Sequence, residues 1–96
     1  MEFARVIGSA VSTIKTDSLT GRKLLVVRSA TPSDELYGEP FVAVDAVGAG
    51  GGEFVLVSRG SAARYASGTE GTPADAVIMA ILDSVEVDGQ ATFRKL

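Results

Sequence analysis

The glycine-rich segment Gly48–Gly52 (GAGGG) is the most pronounced motif in this chain of 96 residues. Loops of this kind bind phosphate when their backbone N–H groups point at the anion and a helix begins directly behind them. Here the strand-like run Glu53–Arg59 follows, and the Lys-Ser/Thr pair of a phosphate-binding loop is absent. The motif therefore favours a tight β-hairpin that needs positive φ, or a close approach to neighbouring copies of the chain.

Ser61, within the segment Gly60–Arg64 (GSAAR), is the residue with the form of a candidate nucleophile. The chain has no histidine to act as its base, and its neighbours do not form the Gly-x-Ser-x-Gly elbow. The absence of cysteine also excludes thiol catalysis, disulfides and Cys/His zinc sites. Ser61 is better suited to cap a short helix, so the sequence predicts no enzyme, no cofactor and no metal.

The carboxylates that could form an acid–base pair are scattered and lie mostly at turns or strand ends. They are Asp45, Glu53, Asp75, Asp83, Glu86 and Asp88. A glycosidase-type pair among them stays open, although solvation explains most of their positions. The net charge of −3 argues against a nucleic-acid partner. No apolar run has membrane-spanning length and the first residues do not form a signal peptide, so we expect a cytoplasmic protein without membrane contact.

Short β-rich runs separated by polar or glycine-containing turns dominate the rest of the chain. The predicted strands are Phe3–Ile14 with a bulge at Gly8, Arg22–Ala30, Pro40–Val47, Glu53–Arg59, Ala76–Val87 and Ala91–Lys95. Asp88-Gly89 is a turn signal, and short helical segments are predicted after Ser61 and after Thr72. We therefore predict one all-β domain over residues 1–96: a small, five-stranded, OB-like β-barrel with one or two short helices.

Two of the predicted strands are apolar on both faces rather than on one. Phe54 and Leu56 would share one face of their strand and Val55 and Val57 the other, and Ala76–Val87 shows the same doubling. A small barrel has one interior, so the second face needs a cover, which loops or a neighbouring subunit could provide. We favour the subunit, and with it assembly as a ring.

Four stretches of the sequence, taken in order, resemble the EutN/CcmL family of bacterial microcompartment vertex proteins. They are Ala4–Gly8, Leu19–Val27, Val44–Gly50 through Gly60–Arg64, and Asp75–Asp83. The central loop is more glycine-rich than is usual in the family, because of Gly51 and Gly52. The resemblance covers nearly the whole chain.

The resemblance implies a homopentamer that fills the vertices of a polyhedral shell and contacts its hexameric and pseudohexameric shell proteins. A ring of this kind is a heterologous interface whose rotation closes. By position, we expect the subunit contacts or the axis to involve Gly48, Ala49, Gly50, Gly51, Gly60, Ser61, Ala62, Ala63 and Arg64. The alternative from another functional class is a small OB-like module that binds a ligand or nucleic acid.

Overall fold

The structure is a computed structural model and describes residues 1–11, 22–60 and 75–95. Within those ranges the chain forms seven strands and no helix. They are β1 (Glu2–Ala10), β2 (Leu24–Ser29), β3 (Phe41–Asp45), β4 (Phe54–Arg59), β5 (Ala76–Ile81), β6 (Ser84–Val87) and β7 (Gln90–Arg94). The predicted helices after Ser61 and Thr72, like the predicted strand residues beyond Val11, lie outside the described residues.

Five strands close into a barrel in the order β1-β2-β3-β5-β4, which confirms the predicted small OB-like barrel. All pairs are antiparallel except β3 and β5, which run parallel. Closure leaves the barrel without a long free sheet edge, which is the usual hazard of a small β-domain. The barrel order also corrects one prediction. Gly48–Gly52 does not form a hairpin, because β3 and β4 are not neighbours in the barrel.

The barrel interior is filled by alternate side chains from all five strands. The buried residues of this core are Ala4, Val6, Leu25, Val27, Ala43, Ala49, Val55, Val57, Ala76 and Ile78. A second, smaller cluster of Val44 and Val77 lies on the opposite face of β3 and β5, with Leu24, Ala46 and Met79 packed against it. The doubled apolar pattern of the sequence therefore corresponds to two packed faces.

Two bulges change which side chains face the core. One lies in β1 between Val6 and Gly8, close to the predicted position. The other interrupts the β4–β5 pairing, where Leu56 pairs with Ala80 but Val57 pairs with Ile78, so Met79 is the extra residue. As a result Ile78 and Ile81 both pack against the barrel core. The prediction that Ile78 and Ala80 share a face was wrong, because a bulge inverts the alternation.

The predicted strand Ala76–Val87 is divided in two. Its first half is β5 of the barrel, and its second half is β6, which pairs with β7 in a separate two-stranded sheet. The predicted turn at Asp88-Gly89 joins these two strands, with φ of 52° and 78° at its central residues. The C-terminal hairpin β6–β7 packs on the outside of the barrel, where Phe93 lies 4.6 Å from Phe54 between ring centroids.

Candidate functional site

The loop between β3 and β4, called here the glycine loop (Ala46–Glu53), begins at a buried carboxylate. Asp45 is the last residue of β3, and its Oδ1 accepts hydrogen bonds from the backbone N–H groups of Val47, Gly48 and Ala49, each at 3.1 Å. Gly48 has a φ of 80°, which a residue with a side chain adopts only at a cost. The carboxylate thus folds the first half of the loop back over the end of its own strand.

Lys23, the residue directly before β2, forms an ion pair with the same carboxylate. Its Nζ lies 3.4 Å from Asp45 Oδ2 and also donates to the carbonyl oxygen of Ala49. Burial of Asp45 acts to raise its pKa, but hydrogen bonds from Val47 and Ala49 and the charge of Lys23 outweigh it and leave that pKa below its ordinary value. Asp45 is therefore held as an anion inside the fold, with only 3% of its side chain exposed.

Glu53 anchors the second half of the loop. Its Oε1 accepts the N–H of Gly50 at 2.8 Å, and its Oε2 accepts a charged hydrogen bond from Lys95 Nζ at 2.8 Å. The hydrogen bond from Lys95, followed by that from Gly50, lowers the pKa of the Glu53 carboxyl, and the same pairing raises the pKa of Lys95. Both groups are therefore charged across the neutral range.

Arg5 of β1 provides a third anchor. Its guanidinium donates to the carbonyl oxygen of Gly52 and forms a two-point pair with Asp34, in which Nε donates to Oδ1 at 2.8 Å. The same guanidinium lies 5.5 Å from the centroid of the Phe54 ring and 5.9 Å from that of Phe93. An open cleft beside Arg5 is lined in part by these paired groups, Asp34 and Gly52 among them, and also by the exposed Arg94.

The backbone donors of the glycine loop are largely used within the chain. Four of its N–H groups donate to Asp45 or Glu53, and the N–H of Gly52 donates to the carbonyl oxygen of Val6 at 2.9 Å. A phosphate cradle needs such groups free and pointing at the anion. The loop instead presents a fixed backbone surface with small side chains, which suits close approach by another protein surface.

Gly60 is the first residue of Gly60–Arg64, the second segment predicted to form subunit contacts. It follows β4 with a φ of 65°, and its N–H donates to the carbonyl oxygen of Asp75 at 2.7 Å. Beside it, the Arg59 guanidinium lies 3.7 Å above the Phe41 ring and 3.7 Å from Glu2 Oε2. Residues Ser61, Ala62, Ala63 and Arg64 lie outside the described part of the chain. Gly60 and the glycine loop occupy opposite ends of β4, about 20 Å apart for six strand residues.

Sequence reasoning missed the residues that hold the glycine loop. Lys95 is 42 positions from Glu53, and Asp34 is 29 positions from Arg5, so no local pattern joins them. Asp45 did carry a signal, since it was the one charge in its predicted strand and stood shortly before a glycine turn. In the described ranges, no three acidic side chains form a set that could hold a metal ion. No helix there is long and apolar enough to span a membrane.

Comparison with known proteins gives one consistent result. The family described as "Ethanolamine utilisation protein EutN/carboxysome" matches residues 1–83. The carboxysome shell vertex protein CcmL of Thermosynechococcus vestitus is 45% identical over 95 residues, which is 99% of this chain and 96% of that protein.

Solved structures agree with this. CcmL of Nostoc sp. PCC 7120 superimposes with a TM-score of 0.90 at 44% identity, covering 99% of this chain and all of that one. The GrpN pentameric microcompartment shell protein of Rhodospirillum rubrum has a TM-score of 0.80 at 46% identity, covering 91% of this chain and 99% of that one.

Proposed function

The chain belongs to the EutN/CcmL family, and on that premise we propose that it is a structural shell protein whose pentamers close the vertices of a bacterial microcompartment in the cytoplasm. The observation that carries this function is the full-length likeness to proteins named as shell vertex proteins, at 45% identity over 99% of the chain. The role is that of a building block, and we infer that the chain catalyses no reaction.

A five-fold ring has a direct geometric use in a closed shell. Hexamers tile a flat layer, and a polyhedron built from such layers needs five-fold corners to close. A heterologous interface that repeats with a five-fold rotation closes on itself and leaves no free contact surface within the ring. We infer that the outer sides of the ring contact the hexameric and pseudohexameric shell proteins.

The glycine loop and the segment Gly60–Arg64 are proposed as subunit contacts or as the surroundings of the axis. Gly48, Gly50 and Gly51 offer backbone surface at one end of β4, and Gly60 lies at the other end. Ala49 is buried in the barrel core, so its side chain is not available to a neighbouring subunit. If both ends contact the neighbouring subunit, the interface runs along the length of the barrel. Exposed apolar side chains on the barrel strands, such as Ile7 and Val42, would be covered by the same ring.

The alternative of an OB-like nucleic-acid-binding module receives no support from the arrangement of charges. Such modules line a groove with free cations and aromatic platforms. Here Arg5, Lys23, Arg59 and Lys95 each lie within 4 Å of a carboxylate, and the Phe54 ring is buried under Phe93. These four cations of the described ranges are thus already neutralised by carboxylates and are not free to bind a phosphate backbone.

The native mass in dilute solution tests the proposed function. Five chains of 9.9 kDa make a particle of about 49.5 kDa. We expect one species at that mass by native mass spectrometry or light scattering, followed by capping of shells when it is mixed with shell hexamers. A stable monomer at micromolar concentration would contradict the proposed subunit interface and favour the alternative, an OB-like binding module.

Gly50→Trp tests the proposed contact surface. An added Cβ at Gly50 would lie 3.6 Å from Glu53 Oε1, an ordinary contact, so Gly50→Ala is a matched control that the subunit accommodates. We expect Gly50→Ala to keep the native mass and Gly50→Trp to lower it at equal concentration. Arg64→Glu should weaken the ring or its docking, because it replaces a cation that can donate hydrogen bonds to a carboxylate or to carbonyl oxygens of a neighbour. Intact rings and normal capping in both Gly50→Trp and Arg64→Glu would remove these residues from the interface.

A further inference from the structure

The C-terminal hairpin β6–β7 lies beyond residues 1–83, the part of the chain that the family description matches. It nevertheless packs against the barrel at the place where the glycine loop is anchored. The Phe93 ring packs against that of Phe54 at an interplanar angle of 42°, and Thr92 Oγ1 donates to the carbonyl oxygen of Pro32 at 2.7 Å. The backbone N–H of Lys95 donates to the carbonyl oxygen of Asp83 at 2.8 Å, which fixes Lys95 at the base of the hairpin.

Glu53 connects this hairpin to the glycine loop through a single carboxylate. One oxygen accepts the N–H of Gly50 and the other accepts Lys95 Nζ, both at 2.8 Å. A second connection passes through Arg5, whose guanidinium holds the carbonyl oxygen of Gly52 and lies near the Phe93 ring. The hairpin therefore contacts Glu53 and lies near Arg5, two of the residues that hold the second half of the loop.

External restraint matters here because Gly50, Gly51 and Gly52 are consecutive. Glycine loses more conformational freedom on folding than any other residue, so a run of three needs outside contacts to keep one shape. An added Cβ would meet nothing within 4 Å at Gly51 or Gly52, so packing does not provide that restraint. Hydrogen bonds provide it instead: Glu53 accepts the Gly50 N–H, Arg5 donates to the Gly52 carbonyl oxygen, and the Gly52 N–H donates to the Val6 carbonyl oxygen.

We propose that the C-terminal hairpin acts as a clasp that sets the shape of the glycine loop through Glu53, with Lys95 and Glu53 as positioning residues. Docking of the hairpin holds the Glu53 carboxylate in place, and the carboxylate holds Gly50. In its last step the proposal rests on the proposed function: the clasped loop is the shape that the neighbouring subunit of the ring binds.

Hydrogen exchange of the glycine loop in the full-length protein tests this. Lys95→Met removes the cation and keeps a long, unbranched side chain. Arg94→Met is the matched control, because Arg94 is the adjacent exposed cation of the same hairpin. We expect Lys95→Met to increase the exchange rate of the Gly50 amide about two- to fivefold, as for the loss of a half-exposed ion pair. Arg94→Met should leave that rate unchanged.

Glu53→Gln separates positioning from general stability. Glutamine still offers an oxygen to the Gly50 N–H but no longer attracts Lys95. We therefore expect Lys95→Met to add no further increase when it is combined with Glu53→Gln, whereas an independent structural effect would add in full. Full additivity would overturn the assignment of Glu53 as the link.

The native mass of the same samples keeps this proposal distinct from the proposed function. An unchanged Gly50 exchange rate in Lys95→Met, in rings of normal mass, rejects the clasp and leaves the vertex role intact. If the Gly50 amide exchanges faster in Lys95→Met but the ring dissociates at the same protein concentration as wild type, only the last step is rejected, namely that the neighbouring subunit binds the clasped loop. A wild-type protein that never reaches the mass of a pentamer rejects the ring, whatever the exchange rates are.

Discussion

At the scale of single residues, two carboxylates order the glycine loop by accepting its backbone N–H groups. Asp45 accepts three backbone N–H groups from the first half, and Glu53 accepts that of Gly50 in the second. Hydrogen bonds from backbone amides to a carboxylate favour its charged form and lower its pKa. The anionic states of Asp45 and Glu53 therefore stabilise the loop.

The pH dependence of stability follows from Asp45. Its pKa in the folded chain lies below the ordinary value of 3.8, so the folded state binds its proton less readily than the unfolded state does. The stabilisation is fully present above pH 3.8 and is lost as the pH falls through the lower folded pKa. Glu53 acts in the same direction, since its pKa is also lowered.

Asp45→Asn should remove the Asp45 contribution. The amide oxygen can still accept backbone N–H groups, but the charged hydrogen bonds and the attraction to Lys23 are lost. We expect the free energy of unfolding at pH 7 to fall by about 1–2 kcal/mol and its decrease between pH 5 and pH 3 to become shallower. Urea unfolding at several pH values and one fixed protein concentration measures both. Parallel pH profiles for variant and wild type would contradict this account.

At the scale of elements, the division of one predicted strand into β5 and β6 changes what covers the barrel. The side chain of Phe54 lies on the outer face of β4. From the sequence, either loops or a neighbouring subunit were expected to bury that face. The β6–β7 hairpin of the same chain provides that cover, and Phe54 is 1% exposed beneath Phe93 and Phe3. Other apolar residues of the barrel strands, such as Val42, stay exposed in the single subunit.

Phe93→Ala tests how firmly the hairpin is docked. The substitution removes a ring that contacts Phe54 and lies near the Arg5 guanidinium. Because Phe93 is half-buried, we expect a loss of about 1–3 kcal/mol in the free energy of unfolding. Val87→Ala, at an exposed position beside the hairpin turn, should cost less than about 0.5 kcal/mol. Equal losses in the two variants, measured by urea unfolding at one concentration, would show that Phe93 does not dock the hairpin.

At the scale of the whole molecule, the subunit has the features of a fold that is complete before it assembles. The barrel is closed, and its interior holds a continuous apolar core contributed by five strands. No buried side-chain nitrogen or oxygen of the described ranges lacks a hydrogen-bond partner. Ring formation would thus join preformed subunits rather than fold them.

Separated subunits should accordingly keep their structure. If Gly50→Trp or dilution breaks the ring, we expect the far-UV circular dichroism spectrum to remain that of the assembled protein. Slow-exchanging amides should persist in β2 and β4, because their hydrogen bonds lie within the barrel. Loss of the spectrum together with the mass would mean that folding requires assembly.

Local patterns in the sequence determined most of the fold. Four of the barrel strands were placed within a few residues, because apolar, β-branched runs bounded by glycine and polar turns are a local signal. The turn at Asp88-Gly89 and the bulge near Gly8 followed from the same kind of signal. The resemblance to the EutN/CcmL family then gave the ring and its role, since it spans nearly the whole chain.

Only the tertiary structure decided which strands are neighbours and which distant groups meet. The parallel pairing of β3 with β5 turned an expected hairpin into a loop held by Asp45, Glu53 and Arg5. The extra residue at Met79 inverted the faces of β5. Hydrophobic periodicity reports local alternation, whereas pairing partners, bulges and contacts such as Glu53–Lys95 are set by the free energy of the whole packed chain.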